Sequence, residues 1–259
     1  MQHRYPASLT ALQATLQRRP LLWAVCMALA AVLLLSGCTA WRLTQAAELT
    51  RESQPLQHRP ANAVHRLLLV GDSTGVGTGA SSPQGSVAGY LAQDFPRLWI
   101  DNRARDGARF AQVEQQLAST SERFDAVLIM AGGNDVIRGT DAPTLQAQVE
   151  RSIALARRRA DHVVLMPAGN VGNAPFFFAP LAGIMERRSR SLHEQLRALA
   201  AREGVVYVDL FKERDTDPFV ANAALNSRDG LHPSDAGYRV WYDLLLAQTD
   251  WAERWNPAR

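Results

Sequence analysis

The chain has 259 residues, 47% of them apolar and 20% charged, with 17 glycines and 13 prolines. That balance excludes a disordered, collagenous or coiled-coil chain and sets the scale at one or two globular domains. The formal charge of +3 belongs to the leader: setting Arg4, Arg18 and Arg19 aside leaves 25 basic residues against 25 acidic ones. No nucleic-acid footprint remains.

From Pro20 to Trp41 there is no charged residue, and the apolar core reads LLWAVCMALAAVLLLSGC. A basic region followed by an apolar run and small residues has the layout of a secretory signal. Leu35-Ser36-Gly37-Cys38 resembles the lipobox of bacterial lipoproteins, which implies cleavage before Cys38 and lipidation on it. The alternatives are an uncleaved membrane helix, since about 20 apolar residues span a bilayer, and a buried core helix. Arg18-Arg19 reads as positive-inside orientation. Either membrane reading anchors the chain in the cell envelope, with its body outside the cytoplasmic membrane. Both cysteines, Cys26 and Cys38, lie in this stretch, so the rest of the chain has no intramolecular disulfide and no thiolate metal site. Residues 39–63 are polar, contain Pro55 and Pro60, and read as a tether between the 1–38 signal or anchor and a domain at 64–259.

Within the domain, apolar runs of strand length stand at 66–70, 98–100, 125–131, 162–166 and 205–210. Helical spacing fills about 86–95, 108–119, 142–160, 180–202 and 235–248. Short unbroken apolar strands alternating with helices predict a parallel sheet covered on both faces. In such sheets the ligand lies beyond the carboxyl ends of the strands.

Polar and glycine clusters follow the strands where that rule places a site. The first strand leads into Gly71-Asp72-Ser73-Thr74-Gly75, and the second into Asn102 and Gly107. The third leads into Gly132-Gly133-Asn134-Asp135, and the fifth is followed by Asp229-Gly230-Leu231-His232-Pro233. Serine needs a base to become a nucleophile, and His232 is the only histidine within a cluster. Asp229, three residues earlier, can accept its Nδ1–H and fix the tautomer. Taken singly, each cluster has a plain reading: Ser73 as a turn residue, His232 as a loop histidine, Asn134-Asp135 as a cap.

Together, in this order, the four clusters resemble the SGNH (GDSL) hydrolase superfamily over about residues 66–248. The string GGNDxxRG at 132–139 and the spacing from Asn102 to Gly107 are similar to its lysophospholipase/thioesterase branch. Thr74 stands where the family name has Leu. The resemblance implies a flavodoxin-like three-layer α/β/α sandwich with a five-stranded parallel sheet. It also implies a Ser73–His232–Asp229 triad and no metal or organic cofactor. The oxyanion donors by resemblance are the N–H groups of Ser73 and Gly107 and the side chain of Asn134.

Three rival patterns fit less well. An α/β-hydrolase elbow at Gly71-x-Ser73-x-Gly75 needs several strands before it and a wide gap between acid and histidine. The glycines at 75–79 begin too far after their strand for a dinucleotide fingerprint. Asp72, Asn134 and His232 lack the further histidines of a metallophosphoesterase. His58, His65, His162 and His193 read as surface or packing residues, and the arginines at 157–159 and 187–188 as solvated faces. The loop from Pro167 to Leu181 carries Phe176, Phe177 and Phe178, which either line an acyl pocket or lipid contact or pack the loop down. The expected activity is hydrolysis of a small-molecule or lipid ester, or a thioester, through an acyl-enzyme. The alternatives are an acyl-ester hydrolase or transferase acting on carbohydrate, and a non-catalytic cell-envelope binding lipoprotein.

Overall fold

The structure is a computed structural model and describes residues 7–255. The chain forms two compact units, residues 1–44 and 45–259. Helix α1 (Ala7–Glu52) accounts for the described part of the first and opens the second. Cys38 lies on it, exposed. Among the described residues no helix is long and apolar enough to cross a membrane.

Five parallel strands build the second unit in the order β2-β1-β3-β4-β5. They are β1 (His65–Gly71), β2 (Leu98–Asn102), β3 (Ala126–Met130), β4 (His162–Leu165) and β5 (Val206–Tyr207). Alternation along β1 sends Leu67 and Leu69 to one face and Leu68 and Val70 to the other, and all four are fully buried. Each contributes about 1.5–3 kcal/mol of burial, which is why this run takes an interior place in the sheet, between β2 and β3. One face is covered by α3 (Val87–Asp94), α8 (Asp235–Ala247) and α9 (Trp251–Arg254). The other is covered by α4 (Phe110–Ala118), α6 (Ala142–Arg157) and α7 (Leu181–Glu203). The result is the expected α/β sandwich.

Two differences from the sequence reading have local causes. The last run, expected over 205–210, pairs only at Val206 and Tyr207, which leaves this open edge of the sheet short. The stretch 39–63, read as a tether, is helical to Glu52, and Leu49 is buried. Further on, His58 and Ile100 exchange backbone hydrogen bonds of 3.2 and 2.8 Å. Gln57 likewise pairs with the backbone of Asn102. These contacts cover the open edge of β2, which would otherwise present unpaired N–H and C=O groups.

Candidate active site

Strand β1 stops at Gly71 because the chain must pass close to β3. A Cβ there, at φ +151°, would stand 1.9 Å from the Met130 carbonyl oxygen. Gln116 on α4 holds the same residue from the side, accepting from Gly71 N at 2.7 Å and donating to its carbonyl at 2.9 Å. The chain then turns into the short helix α2 (Ser73–Val76). Asp72 caps it, its Oδ1 accepting from the amide and the hydroxyl of Thr74 at 2.9 and 2.7 Å. Ser73 is therefore the first residue of a helix, and its N–H has no intrahelical acceptor.

His232 arrives from the other end of the sequence. Its Nε2 is 3.0 Å from Ser73 Oγ, and its Nδ1 is 2.6 Å from Asp229 Oδ2. An ionised carboxylate only accepts, so Nδ1 carries the proton and Nε2 is free to accept from the serine. Asp229 is fully buried, and its Oδ1 accepts from the amides of Leu231 and His232 at 2.9 and 3.1 Å. Burial raises its pKa, but the hydrogen bond and charge of His232, with those two amides, outweigh it and leave the carboxyl below its usual range. Gly230, at φ +69°, makes the turn that lets Asp229 and His232 face each other. This chain of hydrogen bonds can move a proton from Ser73 to His232 while holding the imidazolium against a negative charge.

Gly107 lies in the loop after β2 at φ +72°. Asn102 ties that loop to the serine turn: its Nδ2 donates to Gly75 O at 2.8 Å and its Oδ1 accepts from Ala104 N at 3.0 Å. Asn134 is half-buried on α5 (Gly133–Arg138), which begins directly after β3 behind Gly132 at φ +127°. A Cβ on Gly133 would stand 3.7 Å from Asp72 Oδ2, so the third cluster borders the first. The oxyanion candidates thus come from three neighbouring strand ends.

Of the three phenylalanines, Phe176 and Phe177 stay together, their rings edge-to-face with centroids 5.0 Å apart. The amide of Phe176 donates to Gly230 O at 2.9 Å, and Phe177 packs against the core beneath α7. Phe178 is 39% exposed.

Several residues around the site have no signal in the apolar pattern. Thr78 Oγ1 donates to Asp106 Oδ1 at 2.6 Å, and Asp135 accepts from Phe110 N and Thr140 Oγ1 at 3.2 and 2.8 Å. Burial pushes the Asp106 and Asp135 carboxyls up, and it drives Asp72 to about 6 against the pull of its bonds from Thr74. His193 is also more than a packing residue. Its ring bridges Tyr207 Oη at 2.5 Å and Ala168 O at 2.8 Å, fastening the loop after β4. No group of three His, Cys, Asp or Glu among the described residues could hold a metal ion.

Residues 69–240 match the family described as GDSL-like Lipase/Acylhydrolase. Among solved structures, the chain is similar to a member of the lipolytic protein G-D-S-L family from Veillonella parvula DSM 2008. The two are 18% identical over 70% of this chain and 96% of that one, with a TM-score of 0.59. A catalytic mutant of an acetylxylan esterase from Geobacillus stearothermophilus is 20% identical over 73% and 96% of the two chains, with a TM-score of 0.54. TesA is 25% identical over 71% and 97%, also at 0.54. No curated protein sequence matches the chain significantly.

Proposed function

Because the chain belongs to the GDSL-like lipase/acylhydrolase family, a family of ester-bond hydrolases, we propose that it is a serine esterase working through Ser73, His232 and Asp229. The observation that carries this reading is the unbroken hydrogen-bonded series Ser73–His232–Asp229 at 3.0 and 2.6 Å. Ser73 Oγ attacks the carbonyl carbon of an ester or thioester while His232 Nε2 takes its proton. The tetrahedral oxyanion is met by the N–H groups of Ser73 and Gly107 and by the Asn134 amide. Collapse expels the alcohol or thiol, which receives the proton from His232. Water, deprotonated in turn by His232, then releases the acid and restores Ser73.

Full-length protein mixed with a p-nitrophenyl ester tests the reading. A stoichiometric burst or steady turnover, lost in Ser73→Ala, supports the enzyme. Silence in the wild type supports the non-catalytic binding protein instead. The string GGNDxxRG favours the lysophospholipase/thioesterase branch, and the acetylxylan esterase among the similar structures keeps acylated carbohydrate as the second reading.

The same proposal places the protein in the cell envelope, held to the membrane through Cys38. What supports it is Leu35-Ser36-Gly37-Cys38 closing the apolar run behind Arg18 and Arg19. Several acyl chains, each buried methylene contributing about 0.8 kcal/mol, give stable attachment. Under this route Cys38→Ala stays a larger precursor and incorporates no labelled fatty acid. An intact mass that still includes residues 1–37 in wild-type membranes overturns lipidation in favour of an uncleaved helix.

A further inference from the structure

Arginines gather on the side of the site where Gly107 turns. Arg138 closes α5, and its Nη2 stands 3.4 Å from where a Cβ on Gly107 would be. Arg188, from α7, lies behind it on Gly139, donates to Val136 O at 3.3 Å and faces a separate hollow that it shares with Asp141 and Leu192. Arg109 lies beside Asp135, and its Nε is buried with no hydrogen-bond partner. Arg105 lines, together with Gly107, a cleft of about 730 Å³ that opens next to the turn.

Among the described residues, none of these four has a carboxylate within ion-pair distance. Arginines elsewhere on the domain do: Arg103 with Asp101, Arg151 with Glu114, Arg197 with Asp209. Of the acids beside the serine turn, Asp72 and Asp135 are buried, and Asp106 spends one oxygen on Thr78. A visitor to the Gly107 side therefore meets the exposed guanidinium groups of Arg105 and Arg138, and the carboxylate that shares the cleft, Asp106, is half-buried and bonded to Thr78. Uncompensated positive charge at a cleft draws anions, and the planar fork of arginine matches carboxylate and phosphate oxygens in pairs.

We propose that Arg138 and Arg105, the two guanidinium groups set against Gly107, bind an anionic group carried by the ester, a carboxylate or a phosphate. The inference rests on the serine-esterase reading, because a carbonyl held between Ser73 and Gly107 brings the rest of its molecule past Arg138. The enzyme then prefers anionic esters to neutral ones of the same shape.

Two matched pairs test this with the full-length protein. In 4-acetoxybenzoate against 4-acetoxybenzamide the charge sits on the leaving alcohol. In mono-p-nitrophenyl glutarate against p-nitrophenyl butyrate it sits on the acyl chain. Each rate is normalised to the ester's own alkaline hydrolysis. The expected result is about a tenfold preference in kcat/KM for the anion in at least one pair, with that pair showing which side carries the charge. The ratio falls toward one in Arg138→Gln and Arg105→Gln, is partly kept in Arg138→Lys, and shrinks at about 1 M salt, where the Debye length is about 3 Å. A ratio near one in both wild-type pairs overturns the proposal while leaving the esterase intact, as does a preference that survives both glutamine variants. If the wild type cleaves none of the four esters and forms no acyl-enzyme, the esterase reading falls, and the proposal with it.

Discussion

Thr78 Oγ1 donates to Asp106 Oδ1 at 2.6 Å, joining the turn that carries Ser73 to the loop that carries Gly107. Thr78 is fully buried, and its own carbonyl accepts from Tyr238 Oη at 2.8 Å, so the clasp is anchored in the core. Breaking it frees Gly107 to drift from the serine. Thr78→Val is expected to lower kcat by roughly tenfold with little change in KM, the loss of a hydrogen bond to a charged acceptor being worth about 1.5–3 kcal/mol. Thr78→Ser keeps the hydroxyl and should recover most of the rate. Equal loss in the two variants points to packing of the methyl group instead.

For the catalytic series, Ser73→Ala and His232→Ala should each cost on the order of 10⁴-fold or more in kcat, and the double variant little beyond that. Groups that act as one unit fail together. Asp229→Asn should retain more activity, since it alters only the charge and orientation given to His232. Single-turnover measurements decide the matter. Independent, multiplying losses for Ser73 and His232 would show that they do not share a step.

Asn134→Ala should reduce kcat by about 100-fold while leaving KM nearly unchanged, because the bond strengthens as charge builds on the substrate oxygen. Steady-state kinetics on one p-nitrophenyl ester checks it. A change confined to KM makes Asn134 a ground-state contact.

Stability should fall in acid through His193. Burial holds its pKa down at about 4, against the pull of the Ala168 carbonyl, while in the unfolded chain it titrates near 6.5. Between those values the unfolded chain binds the extra proton, so lowering the pH through the window destabilises the fold, by up to roughly 3 kcal/mol. Urea melts at intervals from pH 7 to pH 4 measure the slope. His193→Gln should flatten it, and an unchanged slope would assign the acid sensitivity to other groups.

The strands were legible in the sequence because a sheet buried on both faces demands unbroken apolar runs, and Leu67–Val70 and Ala126–Met130 supply them. The clusters that carry Ser73, Gly107, Asn134 and His232 were legible too, since the turns beyond strand ends leave glycines and polar residues in short local strings. Helices α2 and α5, of four and six residues, were not, being too short to display a helical period. Nor was the covering of β2 by Gln57 and His58, because prolines at 55 and 60 look alike in a tether and on a sheet edge. Ser73 and His232 are 159 positions apart, Thr78 and Asp106 are 28, and Gly71 and Gln116 are 45. Periodicity and turn propensity act over a few residues, so they specify which elements form. Which side chains meet depends on the strand order β2-β1-β3-β4-β5, which sets the first and second loops side by side. The arginines at Gly107 belong to this second kind of information: in the sequence Arg105 and Arg138 are separate charges on two segments, and only folding sets both against the same turn.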